Sequence, residues 1–226
     1  GASTADTLVL GVITGGGSAL MAAPAEGISL ADLRETTDAL LRSGATIHEM
    51  NAVRKHLSAI KGGQLAAALA PATVVSLVFS DVVGNDLDVV ASGPLVPDSS
   101  TFEDALAVLD AYDVAVPESV RNRLEAGAAG EIAETPSADD AVFDAVNTHV
   151  LADGFTALDA AAETASAAGY DPLILSSRLE GEASDVGATH AAILDEIAAT
   201  GNPVEPPAVL LSGGETTVSH AGDGRG

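Results

Sequence analysis

Residues 8–13 form an apolar run that ends in Thr14, Gly15, Gly16 and Gly17. A short run with no polar alternation suits a strand buried on both faces, as in a parallel sheet. The glycines after it suit a tight exit into a helix. The unit recurs: residues 74–79 are a second such run, followed by the loop 80–97, and residues 208–211 a third, ending in Ser212, Gly213, Gly214 and Glu215. Shorter strands are expected at 148–151 and 173–176. Between them the sequence predicts helices over 30–41 (capped by Ser29), 48–69, 102–112, 117–126, 155–168 and 182–199. Residues 127–140 read as a surface loop, and 201–207 as a Pro-rich connection and domain boundary. Strands alternating with helices predict an α/β fold, with a doubly wound, mostly parallel sheet and helices on both faces. Residues 1–204 are read as one Rossmann-like domain and 205–226 as the start of a second α/β domain. In such sheets ligands sit outside the carboxyl ends of the strands, which points to the loops 14–19, 80–98 and 212–217.

Composition narrows the function. The chain has 33 Asp plus Glu against 9 Lys plus Arg, a net charge of −24, and this surface repels nucleic acid and anionic lipid. The acid is spread along the chain, and Lys55 and Lys61 are its lysines. That pattern fits a protein adapted to high salt, where screening over about 3 Å at 1 M relieves self-repulsion. Resistance to urea is then expected to rise as sodium chloride is raised to molar levels. Full stability in dilute buffer would refute the adaptation. Aromatics are only 3%, so the core must be built from Ala, Val, Leu and Ile. With no Cys there is neither a disulfide framework nor a thiolate metal site. The opening residues lack the pattern of a secretory signal, no apolar run reaches the ~20 residues of a membrane span, and a cytoplasmic protein is expected.

Four segments carry candidate chemistry. Gly15, Gly16, Gly17 and Ser18 allow close backbone approach to an anion, although no Gly-Lys-Ser/Thr follows and Leu20 stands where a dinucleotide fingerprint needs its third glycine. In a helix over 48–69, Met50, Val53, Leu57 and Ile60 form an apolar stripe and Asn51, Arg54, Lys55 and Ser58 the opposite side. Arg54, Lys55 and Lys61 fall within eight positions, and cations clustered in so acidic a chain focus potential on an anionic ligand. Asp81, Asp86 and Asp88 follow a buried strand, where carboxylates can hold Mg²⁺ or simply face water. Gly213, Gly214 and Glu215 form the last turn, before Arg225 near the chain end. The five histidines show no close pairing, so no zinc motif exists, and no Gly-x-Ser-x-Gly elbow supports a serine hydrolase.

Taken in order, these segments resemble the glycerate kinases of the MOFRL-domain class, some of which go under the name hydroxypyruvate reductase. The likeness rests on Gly15 to Leu20 with Pro24 to Ile28, Asn51 to Ser58, Ser80 to Val82 with Ala91 to Pro94, and Leu211 to Thr217. It implies transfer of a phosphoryl group from ATP, with Mg²⁺, to D-glycerate, giving 2-phosphoglycerate, in a cleft between two domains. It also implies that 205–226 opens a MOFRL-type domain, and that a lysine-bearing unit before Gly1 and an Arg-containing segment after Gly226 complete a member.

On this reading Gly15, Gly16, Gly17, Ser18 and Arg54 hold the glycerate carboxylate or the transferring phosphate, Lys55 supplies a second positive charge, and Asn51 and Ser92 join the substrate site. Asp81 holds Mg²⁺ or accepts the hydroxyl proton, with Asp86 or Asp88 as the other metal contact. Gly213, Gly214, Glu215 and Arg225 come from the second domain. The expected ligands are glycerate and a nucleotide, with a homodimer admitted. Two alternatives stay open: a nicotinamide-dependent hydroxypyruvate reductase and a non-catalytic module that binds small anions.

Overall fold

The computed structural model describes residues 3–218. Its contacts divide the chain into two compact units, one of residues up to 79 and 86–151, the other of 80–85 and 152 onward.

The first unit starts with strand β1 (Leu8–Thr14) and the single-turn helix α1 (Gly17–Leu20). Helix α2 (Leu30–Ser43) follows, its start set by a capping box in which Ser29 accepts from Asp32 N while Asp32 accepts from Ser29 N. Thr46 and Glu49 make the same box for α3 (Ile47–His56). Next come α4 (Gln64–Leu69) and β2 (Thr73–Phe79). Then α5 (Phe102–Ala111), α6 (Glu118–Ala128) and β3 (Val146–Ala152) complete the series. The strands lie in the order β1-β2-β3, with β1 and β2 parallel from Leu8↔Thr73 to Thr14↔Phe79. At the start of the β2–β3 ladder Val74 N donates to Ala145 C=O, and beyond its end Ser80 N donates to Ala152 C=O. Both bonds advance in one direction, so β3 is parallel too. The chain is α/β with parallel strands, as expected.

Three local expectations change. The helix expected over 48–69 is two helices, α3 and α4. Gly62 (φ 56°) and Gly63 (φ 75°) turn left-handed between them, and their amides donate to the carbonyls of Ser92 and Gly93. A Cβ on Gly62 would stand 2.7 Å from Asp98 Oδ2, so the break needs glycine there. Strand β1 is buried on one face instead of two: Ile13 is buried, whereas Leu8, Leu10 and Val12 are 68%, 65% and 59% exposed. Alternate residues of a strand face opposite ways, and no described residue covers the second face. Residues 127–140 do not all lie at the surface. Thr135 is buried and donates to Asp98 Oδ2, and Glu134 accepts from Phe102 N and meets His56 Nε2 at 3.1 Å.

The core of this unit joins Leu40, Val53, Leu57, Leu109, Val120 and Leu124 around Phe102, which packs against the His56 ring at 4.5 Å. It is aliphatic, as the composition requires, apart from that one Phe. Each fully buried Leu supports the fold by roughly 1.5–3 kcal/mol.

The second unit holds α7 (Gly154–Ala167), β4 (Asp171–Leu179), α8 (Ala183–Thr200) and β5 (Ala208–Gly214). Strands β4 and β5 pair in parallel from Asp171↔Ala208 to Leu179↔Gly214, with register shifts near Ser176. Helix α7 packs on both strands, and α8 meets β5. Among the described residues no helix is long and apolar enough to cross a membrane.

Candidate functional site

In the first unit the Gly-rich exit of β1 forms a pocket with α2 and α3. Gly16 (φ 75°) turns the chain, and a Cβ on Gly17 would stand 3.0 Å from the Ala91 Cβ. Close approach of the loop to residue 91 therefore leaves little room for a side chain at position 17. Opposite it, Ala91 (φ 52°), Ser92 (φ 60°) and Gly93 (φ 60°) are successively left-handed. Two non-glycine residues in that region store strain of about 1–3 kcal/mol each, which proteins tend to keep at functional sites.

Hydrogen-bond counting fixes the direction of the network. Ser92, fully buried, donates its one proton to Asn51 Oδ1 at 3.1 Å. It must then accept from Ser18 Oγ, 2.5 Å away. Ser18 Oγ in turn accepts from Arg54 Nη2 at 2.9 Å and from Lys61 Nζ at 3.1 Å. The Ser18 carbonyl accepts from Lys61 Nζ at 2.9 Å and from Arg54 Nη2 at 3.3 Å. Neither cation forms an ion pair among the described residues. Burial, then the nearby Arg54 charge, pushes the Lys61 ammonium down to about 8. Burial also lowers the Arg54 value. The pocket they enter has a volume of about 210 Å³, walled in part by Ala19, Ala22, Leu30 and Leu33.

The expected role of Lys55 differs from its place in the structure. Its ammonium, 2% exposed, lies between the carboxylates of Asp88 and Asp98, with Asp98 Oδ1 at 3.1 Å. Asp98 also accepts from Ser100 N, Ser100 Oγ and Thr135 Oγ1. Burial raises the Asp98 value, but the Ser100 bonds and the Lys55 charge outweigh it and hold the carboxyl below its usual range. Lys55 thus buttresses the loop, and the second cation beside Ser18 is Lys61. Arg54 and Lys55 are neighbours on α3, about 100° apart, so one can face the pocket while the other faces the core. Asp86 is exposed and its carboxylate caps Asp88 N at 3.1 Å.

The second unit has its own cavity of about 590 Å³, at the ends of β4 and β5 and the start of α7. Asp81, Gly213, Gly214 and Glu215 line it, as do Asp153, Ser177 and Arg178, which no sequence motif marked. Asp153 caps α7, accepting from Thr156 N at 2.8 Å and from Asn85 Nδ2 at 2.6 Å. The backbone bond from Thr156, then the Asn85 and Thr156 side chains, lower its carboxyl to about 2. A Cβ on Gly214 (φ 146°) would fall 2.0 Å from Leu179 O, so the turn requires glycine. His190 Nδ1 donates to the Val186 carbonyl at 2.7 Å, and its Nε2 meets Ser212 Oγ at 2.6 Å, which ties α8 to the end of β5. Asp81 and Glu215 are exposed and form no ion pair among the described residues, where no group of three His, Asp or Glu could hold a metal. Arg225 lies outside the described residues.

Comparison with known proteins adds a family. The family described as Domain of unknown function (DUF4147) matches residues 1–125. A "Glycerate 2-kinase" of Pyrococcus horikoshii is 48% identical over 219 residues, 96% of this chain and 49% of that protein. A protein of Agrobacterium vitis named as a hydroxypyruvate reductase is 47% identical over 221 residues, 98% of this chain and 55% of its own. The crystal structure of a glycerate kinase from Thermotoga maritima superposes with a TM-score of 0.83 at 42% identity, covering 99% of this chain and 51% of that one. The chain thus spans about half the length of the curated relatives it matches.

Proposed function

The chain belongs to the family described as Domain of unknown function (DUF4147), and we propose that the complete protein transfers the γ-phosphoryl group of ATP to D-glycerate, giving 2-phosphoglycerate. The observation that carries this reading is the pair Arg54, half-buried, and Lys61, buried, around Ser18, two cations with neutral oxygens as their only partners among the described residues. Relatives named as glycerate kinases at 42–48% identity support it.

Phosphoryl transfer asks a protein mainly for positioning and for neutralising charge. Arg54, with Ser18 and the Gly15 to Gly17 turn, holds the anionic end of the acceptor. Asn51 and Ser92 take up the Ser18 hydroxyl proton, which leaves the Ser18 oxygen to accept from its two cations. The 590 Å³ cavity suits the nucleotide in size. There Gly213 and Gly214 bring the backbone close, and Glu215 is free to orient a hydroxyl. Asp81 accepts the proton of the acceptor hydroxyl or faces Mg²⁺. Mg²⁺ usually takes one or two carboxylates and keeps its waters, so unpaired Asp81 fits it without a cluster of acids. Asp86, exposed, is the second carboxylate in this scheme. When bound, the metal would neutralise charge on the nucleotide phosphates. Arg225 completes the proposed set, and the cytoplasm is its proposed location.

The reductase reading has weaker support. Leu20 replaces the third glycine of the dinucleotide turn, and α1 is too short to offer a helix N-terminus to a pyrophosphate.

A coupled ADP-release assay on the complete protein, with ATP, Mg²⁺ and D-glycerate in molar salt, tests the proposal. Glycerate-dependent ADP is expected. NADH oxidation by hydroxypyruvate without such ADP would make the protein a reductase instead.

A further inference from the structure

We infer that the pocket on α2 and α3 is a carboxylate seat for a small acid, with Lys61 beside Arg54 as its second cation and its alanine-lined wall as its size filter. The inference rests on the kinase reading for the identity of the acid, and on the geometry alone for the seat.

Three observations converge. First, the cations are built in and uncompensated. Lys61 is 5% exposed, yet two of its three N–H donors reach only the hydroxyl and carbonyl oxygens of Ser18. A buried ammonium lacking an anion is costly, so an arriving carboxylate supplies what the fold leaves out. The other charged groups on the pocket are Arg34 and Asp38 of α2 and Arg54 of α3. Asp38 is exposed and makes no ion pair with any of the three cations. Second, the hydroxyl between the cations is held in place: Ser18 donates to Ser92, so its lone pairs are committed to Arg54 and Lys61. Asn51, which anchors Ser92, is 2% exposed and its Nδ2 has no partner among the described residues, a further unspent donor beside this network. Third, the volume is about 210 Å³, below the roughly 300–1,000 Å³ of sites that take drug-sized ligands. A three- or four-carbon acid fits and a nucleotide does not.

A regulatory consequence follows from Lys61. Only its ammonium form attracts the carboxylate, and burial with Arg54 places its titration at about 8 in the free protein. Affinity for the acid is therefore full below that value and falls as pH rises through it, while Arg54 stays charged throughout.

The test is calorimetric binding of D-glycerate to the complete protein between pH 7 and 9.5, with ADP and Mg²⁺ present. The wild type, Lys61→Met and Lys61→Arg are compared, with glycerol as the probe that lacks a carboxylate. The wild type is expected to weaken about tenfold per pH unit above 8. Lys61→Arg should bind with no slope, Lys61→Met should bind at least about tenfold more weakly at pH 7 with no slope, and glycerol should not compete. Circular dichroism melts confirm folding, and if the methionine variant fails to fold, the arginine variant decides by its slope. A pH-independent wild type, or unchanged affinity in Lys61→Met, overturns the seat. If glycerate-dependent ADP persists in that case, the kinase reading stands without it. A Lys61-dependent slope with no ADP release leaves the seat and removes the kinase.

Discussion

Arg54→Ala in the complete protein is expected to lower glycerate-dependent ADP release by about 10²- to 10³-fold, the scale seen when one preorganised donor to developing charge is removed. The guanidinium reaches both oxygens of Ser18 from the nitrogen Nη2 and leaves its remaining donors for the ligand. Arg54→Lys keeps the charge but not the planar fork, and should recover only part of the rate. Stability should hardly change in either variant, because Arg54 forms no ion pair that would be broken. An Arg54→Ala protein with activity within a few-fold of the wild type would remove Arg54 from the site. A variant that melts many degrees lower would mean that the side chain serves the fold.

The neighbouring lysine gives the opposite outcome. Lys55→Met is expected to cost about 3–5 kcal/mol of unfolding free energy, measured by urea titration in molar salt, because it leaves the fully buried Asp98 side chain without its cation. That is a large part of the 5–15 kcal/mol typical of a domain. The pH dependence identifies the cause. In the wild type the Asp98 carboxyl titrates below its unfolded value, so its contribution is present above roughly pH 4 and is lost as pH falls through the lower folded value. Without Lys55 the carboxyl takes up its proton at higher pH. The gap between variant and wild type should therefore be widest near neutrality and narrow in acid. A loss below about 1 kcal/mol at pH 7 would refute the buttress.

The expectations that held are those written in neighbouring residues. Ser29 caps its helix as expected, and in the fold Asp32, three positions on, completes a capping box. The run before Thr14 is a strand, and the glycines after it do turn the chain tightly, Gly16 at φ 75°. The concentration of Arg54, Lys55 and Lys61 was visible because so few other cations exist in the chain. What each cation does was not visible. Asp88 and Asp98, which take Lys55, lie 33 and 43 residues further along, and Ser18, which takes Arg54 and Lys61, lies 36 and 43 residues back. The pairing of His190 with Ser212 joins a helix to a strand that no motif connects.

The sequence by itself determined the alternation of strands and helices, the helix start at Ser29 and the tight glycine turn after β1. These follow from side-chain period, backbone freedom at glycine and local charge, all of which act within a few residues. Only the tertiary structure decided that β1 exposes one apolar face, that the glycines at 62 and 63 break a long amphipathic stretch, and that Lys55 is spent on the core while Lys61 stands at the pocket. Those outcomes depend on contacts between residues far apart in the chain. Burial makes such contacts decisive, because a charge removed from water must find its partner wherever the fold brings one.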